Sequence, residues 1–164
     1  MMALVLVLAA LCGAAPKSKL TLAPGHERWP RVTILERVSA SVPPGFDREL
    51  APIGARAAML TLTDGTDTVV VTVYGDGAPD ALRVHREELQ KALGGGAATT
   101  TKRRFIGKKR TAETIAATYR GVNVVGEVVA ADLGARTIVA SIVRVADGPN
   151  QLVLETVVSL VAVE

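Results

Sequence analysis

Apolar side chains fall at every second position through several stretches of the chain, the period at which a strand turns alternate residues to one face. Val38, Ala40 and Val42 alternate with Arg37, Ser39 and Ser41 at the end of a strand-like run from Val32 to Val42, which Pro43-Pro44-Gly45 stops. Ala57 to Thr63 and Thr68 to Tyr74 predict two more strands. The Asp64-Gly65-Thr66-Asp67 segment between them supplies the positive φ of a tight turn, so the two are expected to pair antiparallel. From Pro79 to Leu93 the period becomes helical: Leu82, Leu89 and Leu93 recur on one face, Pro79 suits a first turn, and Gly94-Gly95-Gly96 ends the run. Gly94 to Thr101 reads as a flexible, low-complexity stretch. Strands are expected again over Lys102 to Lys109, Ala112 to Arg120, Val122 to Asp132 and Arg136 to Val145, with Gly121 and Leu133-Gly134-Ala135 at the turns.

The last segment carries two periods at once. Gln151, Glu155 and Ser159 lie four apart, as on a helix, while Leu152, Leu154, Val158 and Leu160 fit alternation; Gly148-Pro149 before them and the segment's length favour a helix. The elements together predict an α+β fold, an antiparallel sheet of about seven strands with helices at Pro79 to Leu93 and Asn150 to Val161 packed on it. Turns this short leave no room for crossover helices, which argues against a doubly wound nucleotide-binding sheet.

Residues 3–11 are wholly apolar, and Gly13, Ala14 and Ala15 follow before the first charge at Lys17, the pattern of an export signal. The run is much shorter than the ~20 residues of a spanning helix, so no transmembrane segment is expected in the mature chain. Cleavage after Ala14 divides the chain into a signal (1–14), a linker or arm (15–30) anchored by Trp29, and one domain (31–164). The protein is then periplasmic or extracellular. Cys12 behind the leucine-rich run offers lipid anchoring as the alternative, although Leu11 stands where lipid-attachment motifs carry a small residue. Once the signal is removed the chain has no thiol, and disulfides and thiol catalysis are excluded.

Composition adds two constraints. Only 3% of the 164 residues are aromatic, so burial rests on Val, Leu, Ile and Ala, and the valine content suits a sheet. The net charge of +3 is too mild for a general nucleic-acid coat. Catalytic constellations are missing. His26 and His85 are too far apart in sequence for a zinc helix motif and read as solvated; no serine sits in a Gly-x-Ser-x-Gly elbow; Gly94-Gly95-Gly96 lacks the Lys-Ser/Thr of a phosphate loop. Asp64, Asp67, Asp76 and Asp80 read as turn and cap residues in preference to calcium ligands. No cofactor and no metal is expected.

The order of the elements, with Pro43-Pro44-Gly45-Phe46 ending a strand, Phe105-Ile106-Gly107 opening the second run of strands, Tyr119-Arg120-Gly121 closing one of them, Leu133-Gly134-Ala135-Arg136-Thr137 at a turn and Ser159-Leu160 near the end, resembles the PsbP/DcrB-like family of small exported domains. That resemblance implies a sandwich of an antiparallel sheet between helices. It also implies a non-catalytic role, since such domains include photosystem extrinsic subunits and secretion chaperones that bind other macromolecules. It carries over no catalytic residue.

The sharpest local feature is basic. Lys102, Arg103, Arg104, Lys108, Lys109 and Arg110 surround Phe105-Ile106-Gly107, six cations within nine residues. If the segment is one strand, Lys102, Arg104 and Lys108 share a face and Arg103 and Lys109 the other. Such a strand belongs at a sheet edge, where cations block unwanted pairing, or it forms the surface for an anionic partner, a protein or the anionic envelope surface; export makes nucleic acid an unsuitable partner. The expected function is that of a non-catalytic exported accessory or binding protein that contacts another macromolecule. The alternative is a small envelope hydrolase using scattered carboxylates such as Glu113 or Glu127.

Overall fold

The computed structural model describes residues 20–164; the expected signal and the start of the expected arm lie outside the described residues. Among the described residues, ten strands and two α-helices follow one 3₁₀ turn at His26–Arg28. A seven-stranded antiparallel sheet contains β3 (Asp47–Gly54), β4 (Ala57–Thr63), β5 (Thr68–Tyr74), β6 (Ala97–Phe105), β7 (Lys108–Tyr119), β8 (Val122–Asp132) and β9 (Thr137–Val145), in the order β3-β4-β5-β9-β8-β7-β6. A smaller antiparallel sheet has the order β1-β2-β10, from β1 (Arg31–Leu35), β2 (Val38–Ser41) and β10 (Ala162–Val163).

The α+β sandwich expected from the sequence is overturned. Of the described residues 51% are strand and 17% helix, so the fold is mostly β, and the seven-stranded sheet is joined by a second sheet in place of a helical layer. The helices, α1 (Ala81–Ala92) and α2 (Gln151–Ser159), are short and lie on opposite faces of the large sheet. Successive strand residues face opposite ways. α1 rests on Val128 and Val139, while α2 shares a buried cluster with Val129, Ile138 and Ala140. The small sheet completes that second face, because Val38 and Ala40 of β2 and Ile34 of β1 join the same cluster.

Burial follows the alternation closely in the centre. Leu60, Leu62, Val69, Val71, Val73 and Ile138 are fully buried on the face toward α2; each such side chain contributes about 1.5–3 kcal/mol. α1 sits close to the opposite face at Gly126, where an added Cβ would lie 2.9 Å from both Leu89 and Leu93. The buried strand β2 alternates apolar with polar residues, and the polar ones are satisfied: the Arg31 guanidinium donates to Ser39 Oγ at 2.7 Å, to Ser41 Oγ at 3.2 Å and to the Leu160 carbonyl at 3.2 Å. One side chain thereby ties β1, β2 and the end of α2 together.

The aspartates of the β4–β5 turn prove to be structural. Asp64 accepts from the backbone N–H groups of Thr66 and Asp67, and these bonds, led by that from Asp67, hold its carboxyl below the ordinary carboxylate range. Buried Asp67 accepts from Val145 N–H at 2.9 Å and from the Asn150 side-chain amide at 2.9 Å, which fastens the turn to β9 and to the start of α2.

Three local expectations are corrected, and one strand is found that the sequence pattern did not predict. Val32 to Val42 forms a hairpin, not one strand, because Glu36 takes a positive φ of 50° and turns the chain at Glu36–Arg37. Asp47–Gly54 is a strand with no alternating signature, since nearly every residue of this edge strand is exposed and Pro52 needs no inward bond there. Ala97 to Thr101, expected to be flexible, is the first half of β6. The terminal helix is shorter than expected and hands over to β10, which pairs with β2.

Candidate functional site at the basic hairpin

The segment Lys102 to Arg110 is not a single strand. Ile106 (φ 47°) and Gly107 (φ 72°) form a two-residue turn with both residues in the left-handed region, so the cations divide between the end of β6 and the start of β7. Ile106 is an uncommon occupant of that region, which disfavours β-branched side chains; it packs against the main core cluster, and that contact offsets the strain. Cross-strand pairs Phe105↔Lys108, Arg104↔Lys109, Arg103↔Arg110 and Lys102↔Thr111 replace the facing expected of one strand. Lys102, Arg104 and Lys109 now share the face on the α1 side, and Arg103, Lys108 and Arg110 share the face toward α2.

The six cations have different fates. Arg103 is a structural residue: its guanidinium forms a two-pronged pair with Glu127 of β8, with Nη2 donating to Oε2 at 2.9 Å, and Glu155 of α2 lies 3.7 Å away. Burial by itself would disfavour charge on Arg103, and the hydrogen bond and charge of Glu127, aided by Glu155, more than offset it, so its pKa is raised. Arg110 donates through Nε to the Phe105 carbonyl at 2.9 Å and braces the turn. Lys102 reaches Thr111 Oγ1 at 2.8 Å while staying exposed. Arg104, Lys108 and Lys109 are exposed and make no ion pair or side-chain hydrogen bond among the described residues. Phe105, fully buried, fastens the hairpin to the core from between them.

No family model matches the sequence, and no curated protein does. A crystal structure from Bacteroides thetaiotaomicron VPI-5482 is similar to this one. The two align with a TM-score of 0.51 at 12% identity, over 78% of this chain and 45% of that chain. At that identity the likeness is one of fold alone, and this chain spans less than half the length of the protein it matches.

The other residues singled out from the sequence lie apart from the hairpin tip or are engaged. Glu113 and Glu127 are on opposite faces of the sheet, each beside an arginine: Arg86 Nε is 2.9 Å from Glu113, and Arg103 holds Glu127. Among the described residues no group of three or more His, Cys, Asp or Glu side chains is placed to hold a metal ion. Gly94-Gly95-Gly96 borders a shallow hollow of about 410 Å³ lined by residues such as Leu93, Ala116, Thr118 and Asn123, with no charged group. Trp29 is buried in the main core cluster with Ala23.

The histidines are less solvated than the sequence suggested. His26 Nδ1 lies 2.8 Å from the Ala23 carbonyl, and His85 Nε2 lies 2.8 Å from the Tyr74 hydroxyl under α1. Burial lowers the pKa of His85, with the Glu88 charge opposing, and burial raises that of Tyr74. An unfolded chain therefore binds a proton at this histidine more readily than the folded one, so stability rises with pH through the window below the ordinary histidine value of 6.5 and falls on acidification. Denaturant midpoints at about pH 7.5 and about pH 5.5 should differ more for the native chain than for a His85→Gln variant. An identical pH difference in both would show that His85 is not the group responsible.

Sequence reasoning missed the neighbours of the cations. Ala97 to Thr101 precede them on the same edge strand, with every side chain exposed. The threonine run 99–101 was a β-propensity signal available in the sequence, but the glycines before it argued for flexibility.

Proposed function

We propose that this chain is an exported, non-catalytic accessory or binding protein that contacts an anionic macromolecule through the β6–β7 hairpin. The observation that carries the reading is the presence of three exposed cations without partners among the described residues, Arg104, Lys108 and Lys109, on a two-stranded arm whose fold is secured by other groups. Phe105, Arg103 and Arg110 supply that anchoring, which leaves the exposed cations free of a folding task. Like charges clustered on a water-exposed arm contribute little to stability, and an oppositely charged partner neutralises them. The engagement of Glu113 and Glu127 with arginines on opposite sheet faces supports a binding role over the hydrolase alternative. The apolar run at residues 3–11 and the order of motifs shared with PsbP/DcrB-like domains support export and an accessory role. Among the described residues no helix is long and apolar enough to cross a membrane.

The test compares the native chain with an Arg104→Glu/Lys109→Glu variant, using protein from the producing cell whose intact mass reads the removal of residues 1–14. Binding to poly-glutamate and to vesicles containing anionic phospholipid should fall with rising salt and fall again in the variant, while the melting temperature stays nearly unchanged. Binding that resists both salt and the double reversal would make the cluster no more than a charged edge.

A further inference from the structure

β6 pairs with β7 along one side only. A two-residue turn makes the closing pair Phe105↔Lys108 exchange both backbone hydrogen bonds, and the same holds in alternation for Arg103↔Arg110, Thr101↔Ala112 and Thr99↔Thr114. Ala98, Thr100, Lys102 and Arg104 therefore turn their N–H and C=O groups outward, and among the described residues none of these groups bonds to another part of the chain. The same four residues put their side chains on the face that carries Lys109.

The two edges of the large sheet are protected unequally. β3 carries Pro52, an irregularity in register between Pro52 and Gly54, and charges of both signs at Asp47, Arg48 and Glu49, devices that block strand addition along its length. β6 has no proline, no break in its pairing with β7 and no charge over Ala97 to Thr101; its only charges, Lys102, Arg103 and Arg104, are all positive and confined to one end. An edge of this kind repels cationic strands and leaves its backbone open to anionic ones.

We propose that β6 accepts an extended acidic segment of a partner protein as an added strand, with carboxylates at alternate positions meeting Lys102 and Arg104. This rests on the anionic-partner reading above and specifies how the partner is held. Residues two apart on a strand lie on one face about 6.6 Å apart, so the spacing of Lys102 and Arg104 matches a sequence with an acidic residue at every second position. The remaining peptide side chains face Ala97, Thr99 and Thr101, which are small and exposed. Backbone pairing supplies affinity in such a mode and the side-chain alternation supplies selectivity. A second copy of this chain is the poorer occupant, because its β6 carries no carboxylate to meet Lys102 and Arg104.

The experiment uses the full chain and a labelled (Glu-Thr)4 peptide, read by fluorescence anisotropy. Two further peptides carry N-methyl groups on one or the other set of alternate residues, which removes the donors of one strand edge at a time. The parent peptide should bind, one of the two methylated peptides should bind about tenfold more weakly or worse, and Thr100→Pro in the protein should weaken the parent peptide by a similar factor. Thr100 turns its N–H outward, so proline there leaves the ladder to β7 intact. If both methylated peptides bind as well as the parent, strand addition is wrong while the anionic contact stands, provided Lys102→Glu/Arg104→Glu still weakens binding. If no peptide binds and the reversal changes nothing, the anionic-partner reading fails as well. Concentration-dependent dimers that Thr100→Pro abolishes would assign the edge to a second copy and overturn the proposal.

Discussion

Replacing Phe105 with alanine is expected to cost about 3–5 kcal/mol, the range for truncating a fully buried aromatic side chain whose cavity cannot collapse. Phe105 is the largest fully buried side chain, and it shares the main core cluster with Leu154, Val157 and Val158 of α2. Its hairpin neighbours are cations and the turn residue Ile106, whose positive φ holds it in place against the same cluster and limits how far it can move into the space. For a domain of this size the loss corresponds to a fall of roughly 10 °C in melting temperature. Phe105→Leu, which keeps most of the volume, should cost about 1–1.5 kcal/mol. Denaturant unfolding followed by circular dichroism measures both. A loss below about 1 kcal/mol for the alanine variant would mean that the hairpin folds and frays apart from the cooperative core.

Glu127→Ala should cost about 3 kcal/mol, because it strands the Arg103 guanidinium at a site where that side chain is only 18% exposed. Glu155, 3.7 Å from Arg103, takes up part of the charge and keeps the loss toward the lower end of what a broken buried pair costs. The diagnostic comparison is the double variant Arg103→Met/Glu127→Leu, which removes both charges and keeps the volume. It should recover most of the stability lost in Glu127→Ala, since the penalty arises from the unpaired charge more than from the missing attraction. Equal losses in the single and double variants would show that packing around these side chains, and not their charge coupling, sets the cost.

These two residues also explain why the basic segment could be only partly understood from its composition. Six cations in nine residues gave a cluster, and sequence periodicity assigned them to faces as if the segment were one strand. The Ile106-Gly107 turn is not among the dipeptides that announce a tight hairpin, which are dominated by Asn, Asp and Gly at the first position. Once the chain reverses there, Lys108 and Lys109 exchange faces relative to the one-strand expectation. Arg103 was indistinguishable from its neighbours in sequence. Its partner Glu127 comes from a strand two places away in the sheet, so its structural role depends on contacts that local spacing does not encode.

The legible parts share one physical property, local alternation enforced by burial on at least one side. Ala57–Thr63, Thr68–Tyr74 and Val122–Asp132 lie at the bounds the sequence pattern predicts, and α1 differs from its expected range by two residues at the start and one at the end. The α2 helix was also legible, although shorter. Strands wet on both faces were not: Asp47–Gly54 and Ala97–Thr101 expose nearly every side chain, so no alternation was imposed on their sequences. The small sheet was hidden for another reason. Its strands come from opposite ends of the domain, and β10 is only two residues long, too short to carry a period.

By itself the sequence determined the half-buried antiparallel strands of the central sheet, the two helices and the existence of a basic cluster, because alternation, helical spacing and the clustering of charged residues are local properties. Tertiary structure alone decided that the second face is closed by another sheet, that Arg103 is tied to the core while Arg104, Lys108 and Lys109 are not, and that β6 ends the sheet with its outer backbone groups free. Each of these depends on which distant segments come to lie side by side, and that choice is made by burying the whole apolar surface at once.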